Sequence, residues 1–354
     1  MLEIAKRVWQ DKWEPILALV GISATFWSPI AWFWKVVWGM IAILLVVDIV
    51  GTVNGELKLA RERHVPLVVF VPPPEMPEGS VLDAYSAMIG DVARAVRQEG
   101  FDEREFVSRF GVAQDEWALW RDTALPGEQE EWRQAVRRFG LRVHRLAHKL
   151  GEQHVFHIFL RCPAALAVGL GAAVGTHHRL VVYHHQPGEP GGPYIPVVNS
   201  PRQKACPERR RREPLRVRLG KQVEQPYQYI TVEQPEEMTQ EVYVSLFLAR
   251  HDPRGDVERV AQAVHSGVVH IRSARPGVLT ADDDWLLVAR EVVDVLLGLI
   301  GQAEVRRIHL ALSCPVALAF VLGVGLGTQS AITVYNWFKS EQALHPVLVL
   351  DQLD

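Results

Sequence analysis

Cysteine is scarce in this chain: three among 354 residues, Cys162, Cys206 and Cys314. An odd count at wide spacing excludes a disulfide framework and a thiolate metal cluster, and it points to a reducing compartment. Net charge is nearly lacking too. Lys and Arg total 38 against 41 Asp and Glu, −3 overall, so no global field draws a long nucleic acid to the surface. Catalytic signatures are missing: no GxxxxGKS/T phosphate loop, no HExxH, no GxSxG elbow. The run Asp282-Asp283-Asp284 stands at a helix start, where it caps the helix and complements its dipole. These absences predict a protein that is no enzyme and carries no cofactor or metal.

Charge is rarest near the start. From Pro15 to Val53 only Lys35 and Asp48 are charged, across 39 positions, whereas one membrane crossing takes about 20 apolar residues. A turn at Trp27-Ser28-Pro29 allows two crossings. Lys6, Arg7 and Lys12 precede the stretch and Lys58, Arg61 and Arg63 follow it, which places both ends in the cytoplasm. Six of the eleven Trp fall in the first 40 residues, where interfacial anchors belong. The expectation is a transmembrane helical hairpin over residues 1–55, a connector over 56–64, and a multi-pass protein of a bacterial inner membrane in contact with lipid.

What the chain does have is a repeat. HIFLRCPAALAVGLGAAVGTHHRLVVY (157–183) and HLALSCPVALAFVLGVGLGTQSAITVY (309–335) agree at 13 of 27 positions, 152 residues apart. Each reads as an apolar strand, a Cys-Pro turn, a small-residue helix and a strand ending in Tyr. Around them, short apolar runs alternate with helical patterns, and strands this apolar are buried on both faces of a largely parallel sheet. The fold class is α/β: two tandem Rossmann-like doubly wound units, residues 65–200 and 230–354, around a shared cleft. Residues 186–220 are rich in Pro, Gly and Arg and read as a crossover loop or β-extension, and a linker at 201–229 joins the units.

Function is expected at the carboxyl edges of the strands, where open α/β sheets bind ligands. Arg161-Cys162-Pro163 and Ser313-Cys314-Pro315 each open a helix whose positive end favours phosphate. Cys314 and Pro315 also fit a plain tight turn; Arg161 adds a charge and Ser313 a hydroxyl. The last strands end in Tyr183-His184-His185 and Tyr335-Asn336-Trp337, groups suited to stacking on bases and bonding their edges. Two loops bring further cations: Arg250, His251 and Arg254 after one strand, and Arg272, Ser273 and Arg275 after the next. Gly169, Gly171 and Gly175, with Gly323, Gly325 and Gly327, sit inside or at the end of the helices. Close helix-to-sheet packing is expected of them, not a dinucleotide fingerprint.

The paired blocks HIFLRCPAALAVGLGAAVG…VVY and HLALSCPVALAFVLGVGLG…VYNW resemble the SAVED domain, over about residues 65–354. The resemblance implies two CARF-like Rossmann units that sense a cyclic oligonucleotide, with cyclic tri- or tetra-adenylate as the expected ligand, in CBASS or type III CRISPR antiviral defence. It further implies head-to-tail self-association and, with the apolar N-terminal stretch, membrane disruption. Two other classes stay open: a tethered enzyme that degrades the nucleotide signal, and a scaffold that binds no nucleotide.

Overall fold

The structure is a computed structural model that describes residues 40–41, 63–98, 112–151, 154–174, 178–188, 192–198, 215–221, 223–275, 279–280 and 282–353. The chain divides into two units, Met1–Arg63 and His64–Asp354. The second carries the fold described below, its first strand starting at Arg63.

Two sheets organise this unit. The first holds β1 (Arg63–Phe70), β2 (Ala118–Trp120), β3 (His154–Arg161), β4 (Arg179–His185) and β5 (Tyr194–Val198) in the order β2-β1-β3-β4-β5. The second holds β6 (Ile230–Glu233), β7 (Glu241–Phe247), β8 (Gly267–Ser273), β9 (Arg307–Ser313), β10 (Ile332–Phe338) and β11 (Ala343–Val349) in the order β11-β10-β9-β7-β8-β6. Read from β5 and from β11, the two orders coincide strand for strand, with β6 added at the far edge of the second. The repeat in the text is a repeat in space.

Each sheet is mixed, which refines the expectation of parallel units. β3 and β4 are parallel, as are β1 and β2, β7 and β8, β7 and β9, and β9 and β10. β5 runs antiparallel to β4, β11 to β10, and β6 to β8. The reason is chain length. His185 to Tyr194 and Phe338 to Ala343 are too short for a crossover, which takes about a dozen residues or more, so the Pro-containing closing strands fold straight back.

Eight helices accompany the strands among the described residues: α1 (Glu78–Gln98), α2 (Gln114–Trp117), α3 (Gln129–Leu150), α4 (Ala164–Ala173), α5 (Leu215–Leu219), α6 (Arg254–Ala263), α7 (Trp285–Ile300) and α8 (Val316–Leu326). The short α5 lies inside the segment read as a linker. α1 and α3 each bury one apolar stripe at three- and four-residue spacing, such as Trp132, Val136, Phe139, Val143, Leu146 and Leu150. α4 and α8 differ: Ala165–Ala172 and Ala317–Leu326 are buried without a polar face. A helix apolar all round needs neighbours on every side, and these two provide them for each other.

Their crossing explains the repeated glycines. A Cβ on Gly171 would stand 2.0 Å from the Phe320 carbonyl oxygen, and one on Gly323 would stand 2.0 Å from the Val168 carbonyl oxygen. The offset of 152 residues relates both glycines and both carbonyls. The two glycines thus serve helix-to-helix contact at the pseudo-twofold axis, in place of the helix-to-sheet packing expected. Gly327 ends α8 at φ 67°, where an L side chain is strained; Gly175 lies outside the described residues. Asp284 caps α7, its carboxylate accepting from the Leu287 amide at 3.1 Å, as the acidic run implied.

The expectation of a multi-pass inner-membrane protein is corrected: among the described residues no helix is long and apolar enough to cross a membrane. The expected hairpin, residues 1–55, lies outside the described residues apart from Met40 and Ile41.

Candidate ligand cleft at the carboxyl edges

Two adjoining hollows open where the strands end. The first, about 640 Å³, is lined from one half by Pro72-Pro73-Pro74, Arg161 and Cys162, and from the other by Asn336 and Trp337. The second, about 750 Å³, is lined by Arg250, His251, Ser313, Tyr335, Asn336 and Trp337, with Ala164 and Ala165 from the other half. Asn336, Trp337 and Lys339 belong to both. A cleft between the two halves of the second unit is therefore present, and the end of β10 is its central wall.

The wall stands there because the halves exchange contacts. Phe338 at the end of β10 meets Trp132 of α3 edge-on at 6.4 Å, and His184 at the end of β4 meets Trp285 of α7 at 5.0 Å. Each half's last parallel strand thus rests on the other half's long helix. Burying two indoles secures this arrangement at about 2–3 kcal/mol each. Trp337 itself stays 41% exposed and lines both hollows. Ala164 and Ala165 open α4 behind Pro163, whose N-cap position carries no side-chain hydrogen bond. Their amides are among those a helix start leaves unsatisfied.

Charge in the cleft is mixed. Lys339 bridges the halves to Glu75 at 3.5 Å. Arg161 lies 5.7 Å from the centre of the Phe70 ring. Near Arg250 and His251, Asp252 accepts from the Arg254 amide at 2.9 Å and Asp256 pairs with Arg259 at 3.2 Å, so both carboxylates are engaged. Tyr335 is held from below: His309 Nδ1 lies 3.1 Å from its hydroxyl, and His309 Nε2 meets the Glu241 carboxylate. Burial raises the Tyr335 pKa, its contact with Tyr243 adding to the effect.

Of the expected residues, Arg161, Ser313, Tyr335, Asn336, Trp337, Arg250 and His251 line the hollows. Cys314 and Pro315 line neither. Cys314 is buried and its thiol is pushed up to about 12 by burial, and Cys162 is raised by the same cause; both thiols stay protonated and inert. Arg254, Arg272 and Arg275 do not join Arg250 at the rim. Arg254 is held by Glu258 at 2.8 Å and Glu233 at 3.1 Å, Arg272 pairs with Glu233, and Arg275 lies over Tyr229 at 4.8 Å. Ser273 donates to the Arg275 carbonyl at 2.7 Å. For Arg272 and Arg275 the strand order explains the split, since β8 lies beyond β7 on the side away from β10; Arg254 is withdrawn by its two ion pairs. His184 and His185 sit on opposite faces of β4, both with pKa lowered, mainly by burial.

Sequence reasoning missed Lys339, Gln342, Glu75 and the triple proline. VPPPE was legible as the carboxyl end of the first strand, and that position was the available signal. Lys339 lies in the β10–β11 turn, which becomes visible only once that pairing is known.

Residues 202–350 match the SAVED family, the SMODS-associated and fused to various effectors sensor domain. The matched segment contains the whole second sheet. No curated protein matches the chain. Among solved structures, the Acinetobacter baumannii Cap4 SAVED/CARF-domain containing receptor with the cyclic trinucleotide 3'3'3'-cAAA is similar at 16% identity and a TM-score of 0.46, over 69% of this chain and 47% of that one. The same receptor with 2'3'3'-cAAA gives 15%, 0.46, 63% and 44%. The Moraxella osloensis Cap4 receptor gives 14%, 0.40, 63% and 43%. The chain spans less than half the length of each of these receptors.

Proposed function

We propose that this protein is a non-enzymatic sensor of a cyclic oligonucleotide, of the tri- or tetra-adenylate class, which it binds in the cleft between its two α/β units. One observation carries the reading: two hollows at the strands' carboxyl edges, drawn from both halves, share the exposed indole of Trp337 and the ammonium of Lys339. A ligand filling both meets an aromatic face, an amide, cations and an open helix start, the groups that recognise bases and phosphodiesters. The family match over residues 202–350 supports the same reading. The two inert thiols fit a binding role over covalent catalysis.

The test is calorimetric titration of the full chain with a panel of cyclic di-, tri- and tetranucleotides, followed by mass spectrometry of the recovered ligand. Saturable binding with the ligand returned intact is the expected result. No binding across the panel refutes sensing, and linear products at long incubation refute the non-enzymatic part.

A further inference from the structure

The pseudo-twofold axis gives the strand-end residues of the second hollow counterparts in the first half. Across β9, β10 and β11, Ser313, Trp337 and Leu344 form one row, since Tyr335 pairs with Ala311 and Trp337 with Leu344. All three line the 750 Å³ hollow. Across β3, β4 and β5 the same row is Arg161, His185 and Tyr194, since Phe159 pairs with Tyr183 and His185 with Tyr194. At the places of a hydroxyl, an indole and a leucine, the first half sets a guanidinium, an imidazole and a phenol.

These groups lack the partners their chemistry calls for. Tyr194 is 3% exposed, yet its hydroxyl has no hydrogen-bond partner among the described residues. A polar atom buried unpaired costs stability, so such a group in a folded protein marks a place for something else. Arg161 is half-buried and forms no ion pair among the described residues. The His185 ring lies 5.1 Å from that of Tyr194. Asp91 of α1, the acidic group that bears on His185 and Tyr194, is paired with Arg94 at 3.3 Å. The Arg161 guanidinium bears electrostatically on both His185 and Tyr194, and the nearby carboxylate is already paired.

We propose that the Arg161–His185–Tyr194 row is a phosphate subsite, with the guanidinium supplying charge and the buried Tyr194 hydroxyl donating to a phosphate oxygen. The cyclic-oligonucleotide reading supplies only the identity of the larger ligand; the subsite is tested without it. Inorganic phosphate is titrated into the full chain and followed by ³¹P chemical shift, for wild type, Arg161→Gln and Tyr194→Phe. Wild type should saturate, and each substitution should weaken binding about tenfold, the loss of one charge-assisted hydrogen bond. Tyr194→Phe should also melt at or above the wild-type temperature, because it removes a hydroxyl that the free protein leaves unpaired. Absence of phosphate binding by wild type overturns the subsite, as does equal binding by the variants, or a clearly lower melting temperature for Tyr194→Phe. Failure of the cyclic panel with phosphate binding intact overturns the sensing reading alone.

Discussion

Glu291 is 1% exposed, and its two oxygens accept from the amides of Gln228, Tyr229 and Ile230 at 2.8, 2.8 and 3.1 Å. The carboxylate thereby anchors the chain entering β6. Glu291→Gln replaces one acceptor oxygen with an NH2 that faces amide donors, so urea unfolding should show a loss of about 2–3 kcal/mol. His64 and His157 form a buried pair, ring nitrogens 2.9 Å apart, with Tyr183 2.9 Å beyond. Burial, aided by Arg179, lowers His64 to about 3, and burial, aided by His64, lowers His157 well below its usual value. Below about pH 6.5 the unfolded chain binds protons that the folded one refuses. Stability should therefore fall on acidification, by about 1.4 kcal/mol per pH unit for each proton. Urea midpoints at pH 7, 6 and 5 check this, and an unchanged midpoint contradicts it. At the cleft, stacking on Trp337 is expected to contribute about 1–3 kcal/mol per base, so Trp337→Ala should weaken cyclic-nucleotide binding by roughly tenfold or more in calorimetry. Little of this polar chemistry was legible in the text. Arg161, Asn336 and Trp337 were found because they end strands; Glu291 read as an ordinary member of an apolar helix and Tyr194 as part of a Pro- and Gly-rich loop, since a side chain's partner across the fold is set by register.

At the scale of elements, the glycines of α4 and α8 make the sharpest case. Gly171→Ala and Gly323→Ala each drive a methyl against a backbone carbonyl of the facing helix, and a backbone atom cannot rotate aside. Each should destabilise by about 3 kcal/mol or more, the upper end of overpacking. Gly90 in α1 and Gly298 in α7 have nothing within 4 Å of an added Cβ, so alanine there should stabilise by about 0.5–1 kcal/mol. Thermal melts of the four variants separate the two classes. Element identity was largely legible because the hydrophobic period is local: HVFHIFL reads as a doubly buried strand, and the 128–150 pattern as one amphipathic helix. Direction was not. Each half closes on a Pro-initiated apolar run, at 196–198 and 346–351, but whether such a run lies parallel or antiparallel depends on connection length. The amphipathic spacing of residues 112–121 suits a helix, yet they hold the short α2 and then β2. Three residues beside β1 gain more from its edge than from another helical turn.

For the whole molecule, the 152-residue repeat was enough to read two like units and a cleft between them, because duplicated text folds into duplicated structure. The membrane reading rested on a charge-poor stretch with basic flanks and clustered tryptophans, and among the described residues no helix is long and apolar enough to cross a membrane. Occupancy of a cleft drawn from both halves should tighten the unit, and the self-association expected of the resemblance would follow from it. Sedimentation velocity with and without cyclic tri-adenylate should show larger species on ligand addition; an unchanged profile despite measured binding would separate sensing from assembly. Each half presents, at its centre, a socket shaped for the other's main chain, so neither can be exchanged piecemeal with a relative's. A chimera meant to acquire another specificity would have to transplant α4 and α8 as a matched set, and an isolated half would expose a helix with no face suited to water.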